Sequence, residues 1–413
     1  MKFKTTVSAS QRKWDWAHIS LTNPVPPISD GSFTFLIKQL LERRHQDIFI
    51  GYHDAAAFAI AEEIELPVIH LDPVAHPLRA RRIFRLGQRL FTRTPPARPV
   101  MCAIADVLQQ TGCRKVMLWG DFDYLPALRQ VLPDHTIAFA QRHYYYAPHR
   151  GDYSQADYLI TQTWGQTRLA YETRQAIYPL VVTIANGAEL GVFCPATPAE
   201  RTALRQAHGI SDDSLVVIFP SKLAIYKGTR YLERLIHVTQ TRGINVHFLV
   251  VGKLHNSLPS NHRQPLEFAL SNSPHVTWLK GVPRPEMPNL FRAADVCLMP
   301  VTWFEGFSMA AVEALACGLP LLATNYGCFP EIIYDGYNGF LCRRERLLED
   351  ALQGIIRLNE DRELLATMSR NARYYAEQRL PRERLLTNFE RFLEGRLEDI
   401  VYDLSKPEPP ALS

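Results

Sequence analysis

Short apolar runs alternate with segments of helical period along most of the chain. The helical segments between the runs, such as 55–64 and 100–110, repeat apolar residues at a spacing close to one helical turn. Strands that alternate with helices favour a parallel sheet with helices on both faces. The runs assigned to a first sheet are DIFIG (47–51), LPVIHL (66–71), KVMLWG (115–120), HTIAFAQ (135–141), DYLITQ (157–162) and LVVTIA (180–185).

The first part of the chain has a weaker pattern. KFKTTVS is predicted as an edge strand and FTFLIKQLLERR as a helix, whereas the intervening WDWAHISLTNPVPPISDGS, rich in Pro, Ser and Asp, is predicted as a loop. Gly31 and Ser32 stand at the entrance of that helix, where Ser caps and Gly permits a close backbone approach.

A second series of runs begins with SLVVIFP and is predicted to form a second sheet. VHFLVVG (246–252) and HVTWLKG (275–281) supply further strands, and PEMPNLFRAAD supplies a helix. A chain of 413 residues has room for two α/β domains of this kind.

The segment Asp295–Pro320 is the most informative part of the second series. An apolar run ends at Pro300, a loop follows that carries Glu305, and a helix is predicted from about Phe307 to Gly318. Gly318 is predicted to end the helix in the left-handed conformation. The pattern is a strand, a loop and a helix in immediate succession.

Glu313 is the only charged residue between Glu305 and Glu331. A buried carboxylate needs a partner, so either a basic side chain or the hydroxyls of a ligand must reach Glu313, and both alternatives remain open. Backbone amides at a helix start, at the carboxyl end of a parallel sheet, suit an anion. The amides concerned are those of Gly306, Phe307, Ser308 and Met309.

Two lysines follow the first run of the second series. Lys222 comes after the strand, and Lys227 precedes a helix predicted from about Thr229. Side chains in these positions can converge on one pair of phosphates. A pair of solvated surface lysines is the alternative.

The run EGFSMAAVE, followed by ALACGLPLLAT, resembles the Glu-x7-Glu signature of the retaining GT-B glycosyltransferases, the "glycosyl transferases group 1" (family 4) group. The resemblance implies two Rossmann-like parallel-sheet domains that face each other across a cleft. It further implies a retaining, hexosyltransferase-type enzyme that uses a nucleotide-diphosphate sugar as donor and needs no metal or other cofactor.

The resemblance also implies roles for single residues. Glu305 would contact hydroxyls of the donor sugar and Glu313 the ribose, while the amides of 306–309 would hold the diphosphate and sugar. Lys222 and Lys227 would neutralise the departing diphosphate. Lys222 stands where the family usually has arginine.

Four residues are compared further with the family. Ser308 replaces a more usual glycine, so the backbone approach to the donor is expected to differ. Gly31 and Ser32 stand where the family has a glycine-rich turn near the donor diphosphate and the acceptor, shortened here to one glycine, with a plain helix cap as the alternative. His143 occupies the place of a histidine that faces the donor sugar; Gln141 is a competing alignment, and an ordinary loop histidine is the other alternative.

The stretch IANGAELGVFCPAT (184–197) resembles the family's interdomain connection. We therefore predict an N-terminal acceptor-side domain over 1–194 and a nucleotide-sugar-binding domain over 195–379. Residues 380–413 are predicted as a helix that crosses back to the first domain, plus a tail.

The expected function is transfer of a sugar to an acceptor hydroxyl in glycan, polysaccharide or glycolipid synthesis. The expected partners are a nucleotide sugar and a carbohydrate or lipid-linked acceptor. A non-catalytic nucleotide-sugar-binding protein, acting as a sensor or partner subunit, is the alternative. A net charge of +4 is too small to indicate nucleic-acid binding.

A basic stretch without acidic residues runs from Pro73 to Ala105 and interleaves arginines with apolar residues. Residues 78–98 are a candidate for contact with an anionic membrane surface. The rim of an acceptor cleft and a solvated face are the alternatives.

The compartment is predicted from three observations. MKFKTTVSASQRKW has no apolar core of a signal peptide, no apolar run is long enough to cross a membrane, and the seven cysteines form no CxxC pair. They favour a cytoplasmic protein with reduced, buried thiols, with peripheral attachment to the inner face of a membrane as a hypothesis.

Two other interpretations of the acidic residues are weaker. Glu305 and Glu313 are too far apart for a glycosidase, because eight helical residues rise about 12 Å. Asp121 and Asp123 match a short Asp-x-Asp metal motif, but so short a match is weak, and no metal is expected.

Overall fold

The structure of the protein is a computed structural model. It describes residues 3–6, 13–21, 32–52, 54–71, 97–120, 124–141, 153–172, 180–256 and 258–408. Within these residues the chain forms two compact units. One comprises the described residues of 1–184 and 386–400, and the other comprises those of 185–385 and 401–413. The functional division into 1–194, 195–379 and 380–413 remains a prediction.

The first unit contains an eight-stranded sheet in the order β1-β4-β3-β2-β5-β6-β7-β8. Only the β1–β4 pair among the described pairs is antiparallel; the others are parallel. The strands are β1 (Phe3–Thr5), β2 (Trp16–Ser20), β3 (Ile48–Tyr52), β4 (Val68–Leu71), β5 (Lys115–Trp119), β6 (Thr136–Ala140), β7 (Tyr158–Thr161) and β8 (Leu180–Thr183). The predicted edge strand and the six predicted runs are therefore all strands.

Helices connect these strands at the predicted places. The helices of this unit are α1 (Ser32–Arg43), α2 (Ala55–Glu63), α3 (Ala97–Thr111), α4 (Leu125–Val131) and α5 (Trp164–Glu172). Asp54 caps α2 by accepting from the amides of Ala56 and Ala57. The predicted alternation of strand and helix is confirmed in this unit.

The prediction of a loop over WDWAHIS is wrong, because Trp16–Ser20 is the inner strand β2. The pattern was obscured by His18, a fully buried polar residue. The Trp119 indole N–H donates to His18 Nδ1 at 3.1 Å, and His18 Nε2 lies 3.3 Å from Asp47 Oδ2. Because an indole nitrogen only donates, Nδ1 must accept, and the Nε2–H donates to Asp47.

Asp47 is the charged centre of this buried polar group. Burial alone would raise the pKa of Asp47, but the bonds from His18 and Arg44 outweigh it and lower that pKa. Arg44 Nε donates to Asp47 at 2.9 Å, and Arg44 Nη2 donates to Asp15 at 2.9 Å. Polar partners thus permit an inner strand without an unbroken apolar run.

The second unit contains a six-stranded sheet in the order β11-β10-β9-β12-β13-β14, and its described pairs are all parallel. The strands are β9 (Leu215–Pro220), β10 (Val246–Val251), β11 (Val276–Leu279), β12 (Val296–Met299), β13 (Leu321–Thr324) and β14 (Gly339–Cys342). The predicted runs SLVVIFP, VHFLVVG and HVTWLKG correspond to β9, β10 and β11, and the apolar run that ends at Pro300 corresponds to β12.

Strand β9 shows why the runs are continuously apolar. Val216 and Ile218 pack into one hydrophobic cluster, while Leu215, Val217 and Phe219 pack into another. Successive side chains of a strand point to opposite faces, so both faces of this sheet are covered. The covering helices are α6 (Pro198–Ala207), α7 (Thr229–Thr241), α8 (Ser260–Asn272), α9 (Met287–Ala293), α10 (Met309–Ala316), α11 (Phe329–Ile332), α12 (Leu347–Glu360) and α13 (Arg362–Arg379).

The last helix, α14 (Arg382–Leu393), leads from the second unit into the first. In the first unit, the Trp16 indole donates to the carbonyl of Leu393 at 2.9 Å, and the rings of Trp119 and Phe389 lie 5.3 Å apart. No helix of the described residues is both long enough and apolar enough to cross a membrane.

The seven cysteines are free thiols, and five of them are buried. The prediction of buried thiols is wrong for Cys102, which is exposed, and for Cys194, which is partly exposed. Cys194 accepts a hydrogen bond from Arg292 at 2.6 Å.

Candidate nucleotide-sugar site

The strand order of the second sheet reverses between β9 and β12. Three strands run outward on one side in the order 9, 10, 11, and three on the other in the order 12, 13, 14. Parallel sheets of this type bind ligands beyond the carboxyl ends of the strands at this reversal. The segments that leave these two ends are 221–228 and 300–308, which contain most of the predicted site residues.

The segment after β9 carries both predicted lysines. A short 3-10 turn, Ile225–Lys227, precedes α7, which begins at Thr229 as predicted. Lys222 is exposed, and its Nζ lies 5.6 Å from the centre of the Tyr226 ring. Lys227 is largely covered and points to the segment after β12.

Two glycines bring the strand ends close together. Gly228 has φ of +82°, and a Cβ placed on it would lie 1.8 Å from the Pro300 carbonyl oxygen. A Cβ on Gly252, after β10, would lie 2.2 Å from the Ser221 carbonyl oxygen. Both approaches require a residue without a side chain. The backbone after β9 is therefore packed directly against the ends of its two neighbours.

Glu305 and Lys227 are joined by a salt bridge. Their side chains are 20% and 15% exposed, so solvent screens the pair only partly. The backbone of Glu305 is held as well, because its carbonyl accepts from the Cys328 amide at 2.9 Å. Gly327 lies so near that an added Cβ would be 2.6 Å from this carbonyl oxygen.

Helix α10 begins at Met309, two residues later than the predicted start at Phe307. Ser308 is extended, with φ of −91° and ψ of 108°, and its hydroxyl accepts from the Ala311 amide at 3.3 Å. Ser308 is therefore the N-cap, and Gly306 lies with Phe307 in the preceding loop. The predicted end is confirmed, because Gly318 has φ of +79°.

Replacing Ser308 by alanine is expected to lower the free energy of unfolding by about 1 kcal/mol, because the buried Ala311 amide loses its partner. Ser308→Gly is expected to cost only a few tenths of that amount, and Ser308→Thr to retain the cap. Urea denaturation of the three variants provides the measurement. Equal midpoints for Ser308→Ala and the natural protein would show that the cap contributes nothing.

Glu313 is paired with an arginine. Its side chain is 3% exposed and forms a salt bridge with Arg284, in the turn before α9. Burial raises the pKa of Glu313, and Arg284 partly offsets this effect. Of the two partners that the sequence left open, the structure contains the basic side chain. Contact of Glu313 with a ribose remains a prediction.

Several predicted positions lie outside the described residues. They include Gly31, His143, Asp121, Asp123 and most of the basic stretch 78–98. Ser32 is the first residue of α1. Gln141, the competing alignment for His143, is buried at the end of β6, and its side chain donates to the Tyr153 hydroxyl.

Sequence reasoning missed two residues near the predicted site. Arg284 was missed because its local sequence does not indicate that it contacts Glu313, which lies on another helix. His262, on α8, was missed for a similar reason: its Nε2 lies 2.8 Å from the hydroxyl of Thr229, at the start of α7. Among the described residues, no group of three or more His, Cys, Asp or Glu side chains is arranged to hold a metal ion.

Two Rossmann-like units of parallel strands and helices, with the site at a strand reversal, define the GT-B glycosyltransferase fold. The predicted fold class is confirmed by solved structures of this class. A UDP and glucose complex of Anabaena Alr3699/HepE superimposes with a TM-score of 0.72 over 92% of this chain and 99% of that protein, at 18% identity. WaaG, a glycosyltransferase involved in lipopolysaccharide biosynthesis, gives a TM-score of 0.65 over 92% and 100% of the two chains, at 16% identity.

Residues 200–375, which are less than half of the chain, match the family model "Glycosyl transferases group 1". This match supports the predicted group. The D-inositol 3-phosphate glycosyltransferase of Pseudarthrobacter chlorophenolicus is 33% identical over 185 residues, which are 44% of this chain and 43% of that enzyme. The chain thus matches less than half of the length of this curated relative.

Proposed function

We propose that the protein transfers a glycosyl group from a nucleoside diphosphate sugar to an acceptor hydroxyl. The observation that carries the proposal is the Lys227–Glu305 salt bridge at the strand reversal, within the residues that match the group 1 glycosyltransferase model. It brings a cation suited to phosphate and a carboxylate suited to sugar hydroxyls to one place. The family match and the UDP complexes of proteins with the same fold support a nucleotide-sugar donor.

In the proposed reaction, the bond between the anomeric carbon and the β-phosphate oxygen breaks while the acceptor oxygen bonds to that carbon from the same face. The acceptor proton passes to the departing phosphate, and the anomeric configuration is retained. Negative charge grows on the β-phosphate, where Lys227, Lys222 and the amides at the start of α10 stabilise it. Glu305 positions the sugar, and Glu313 binds the ribose.

We propose that this charge stabilisation makes a metal unnecessary. Two lysines and a helix start supply positive charge to the leaving group. Transfer measured after dialysis against EDTA is then expected to equal transfer with added Mg²⁺ or Mn²⁺. Loss of transfer in EDTA, with recovery on adding one of these ions, would overturn this part of the proposal.

The proposed activity is tested by incubating the purified protein with UDP-, ADP- and GDP-sugars and measuring release of the nucleoside diphosphate. The acceptors to supply are simple glycosides, D-inositol 3-phosphate, named for the relative, and isoprenoid-linked sugars. NMR of the product gives its anomeric configuration, which is expected to equal that of the donor. Binding of a donor with neither transfer nor hydrolysis would instead favour the non-catalytic sensor or partner subunit.

We further propose a role in glycan, polysaccharide or glycolipid synthesis, with a peripheral membrane association through 78–98. This part is supported by composition alone, since seven arginines alternate with apolar residues there. Co-flotation with vesicles rich in phosphatidylglycerol, but not with phosphatidylcholine vesicles, is the expected result at low salt. Equal recovery with both vesicle types would contradict it.

A further inference from the structure

Four charged side chains meet around the predicted ribose carboxylate. Glu313 is bonded to Arg284 and lies in the field of Arg382 and Glu189. Glu189 in turn lies 3.9 Å from Arg382. Two positive and two negative charges therefore balance in a region where Glu313 is nearly inaccessible. Loss of one cation would leave a buried charge uncompensated.

The four groups come from four different elements of the second unit. Arg284 lies in the turn before α9, Glu313 on α10, Glu189 in the segment that enters the unit, and Arg382 at the start of α14. The entering and leaving segments are themselves paired, since the Ala188 amide donates to the carbonyl of Leu380 at 2.9 Å. The charge balance is thus set by packing between elements and not by α10 alone.

Among the described residues, two buried thiols are also influenced by the charge of Glu313: Cys297, on β12, and Cys317, at the end of α10. Burial raises the pKa of Cys297 well above its usual value and that of Cys317 to about 12. Both thiols are therefore neutral at physiological pH. They cannot replace the cation that Arg284 supplies.

We propose that Arg284 is a positioning residue for the donor ribose: its guanidinium holds the buried carboxylate of Glu313 turned for hydroxyl recognition. Among the described residues, the hydrogen bond to the Glu313 side chain is made at Oε1, so Oε2 is assigned to the ribose. The inference rests on the proposed function, because it assumes a nucleoside diphosphate at this site.

Without Arg284, Glu313 keeps the burial that raises its pKa and loses the neighbour that lowers it most. Its pKa must then rise further, so the carboxyl group is protonated over a wider range of pH. The protonated form is a poorer acceptor for ribose hydroxyls. Nucleotide affinity should consequently decrease as the pH is lowered, and should recover as the pH rises.

The test begins with calorimetric titration of the natural protein with UDP, ADP and GDP. The nucleotide that binds is then compared with its 2′,3′-dideoxy analogue from about pH 5 to about pH 9 in the natural protein and in Arg284→Ala. The ratio of the two affinities isolates the contribution of the ribose hydroxyls, whereas a change in overall fold affects both ligands equally.

We expect the midpoint of this ratio to shift to higher pH by about one unit or more in Arg284→Ala. Arg284→Lys should retain the natural profile. In the double variant Arg284→Ala/Glu313→Gln, the ratio should no longer depend on pH. Arg284→Gln, closer in shape to arginine, replaces the alanine variant if thermal unfolding shows that the latter does not fold.

An unchanged pH profile in a folded Arg284 variant, or an equal loss for both ligands at every pH, would overturn the role of Arg284. Failure of the natural protein to bind any of the three nucleotides would instead overturn the proposed function. The two failures are distinguishable because the first is observed in the Arg284 variant and the second in the natural protein.

Discussion

Replacing Lys227 by alanine is expected to lower kcat of glycosyl transfer by about a hundredfold or more, with a smaller change in donor KM. The ammonium group is aimed at the position where charge grows on the leaving phosphate, and loss of one such donor typically has an effect of this size. The variant also leaves Glu305 without the cation that it contacts. Steady-state rates over a range of donor concentrations give the two constants separately.

Arg242→Ala is the matched control for Lys227→Ala. Arg242 is exposed and stands at the far end of α7, so the same charge is removed at the opposite edge of the sheet. It is expected to leave kcat within about twofold of the natural value, because exposed charges at that distance are screened. Equal rates for Lys227→Ala and the natural protein would remove Lys227 from the proposed mechanism.

Gly228→Ala is expected to destabilise the second unit by about 3 kcal/mol or more. Part of the cost is the left-handed backbone conformation, about 1 kcal/mol for a residue with a Cβ. The larger part is steric, because the new Cβ would lie 1.8 Å from the Pro300 carbonyl oxygen and would separate β9 from β12. The urea midpoint and nucleotide binding should both decrease.

Gly243→Ala separates these two costs. Gly243 has φ of +64° at the other end of α7, and a Cβ there would meet nothing within 4 Å. Its replacement is expected to cost about 1 kcal/mol and to leave nucleotide affinity unchanged. Similar urea midpoints for the two variants would show that the close approach at Gly228 adds nothing to the cost of the substitution.

Strands could be predicted where an apolar run was not interrupted by buried polar residues. Strand β9 is apolar on both faces and is bounded by polar residues, so its sequence shows where it begins and ends. Strand β2 was predicted as a loop because the buried His18 interrupts its pattern. The bonds of His18 to Asp47 and Trp119 join segments that are far apart along the chain, and local periodicity carries no information on such partners.

Site residues could be predicted where their place between successive strands and helices puts them in the site, but not where packing between distant segments does so. Lys227 was predicted just before a helix and Glu305 in the loop after a strand, and the structure joins them. The start of α10 was predicted two residues early, because the tendency of Ser308 to cap outweighs the helical period of the residues before it. The sequence shows that Glu313 needs a partner when it is buried. It does not show that the partner is Arg284, because that contact depends on packing between helices.

The most direct measurement is a crystal structure of the protein grown with the nucleoside diphosphate that binds most tightly. Our account predicts electron density for the phosphates within hydrogen-bonding distance of Lys227 and the amides at the start of α10, and for the ribose against Glu313. Density for the nucleotide at another place on the protein, with the Lys227–Glu305 salt bridge undisturbed, would contradict it.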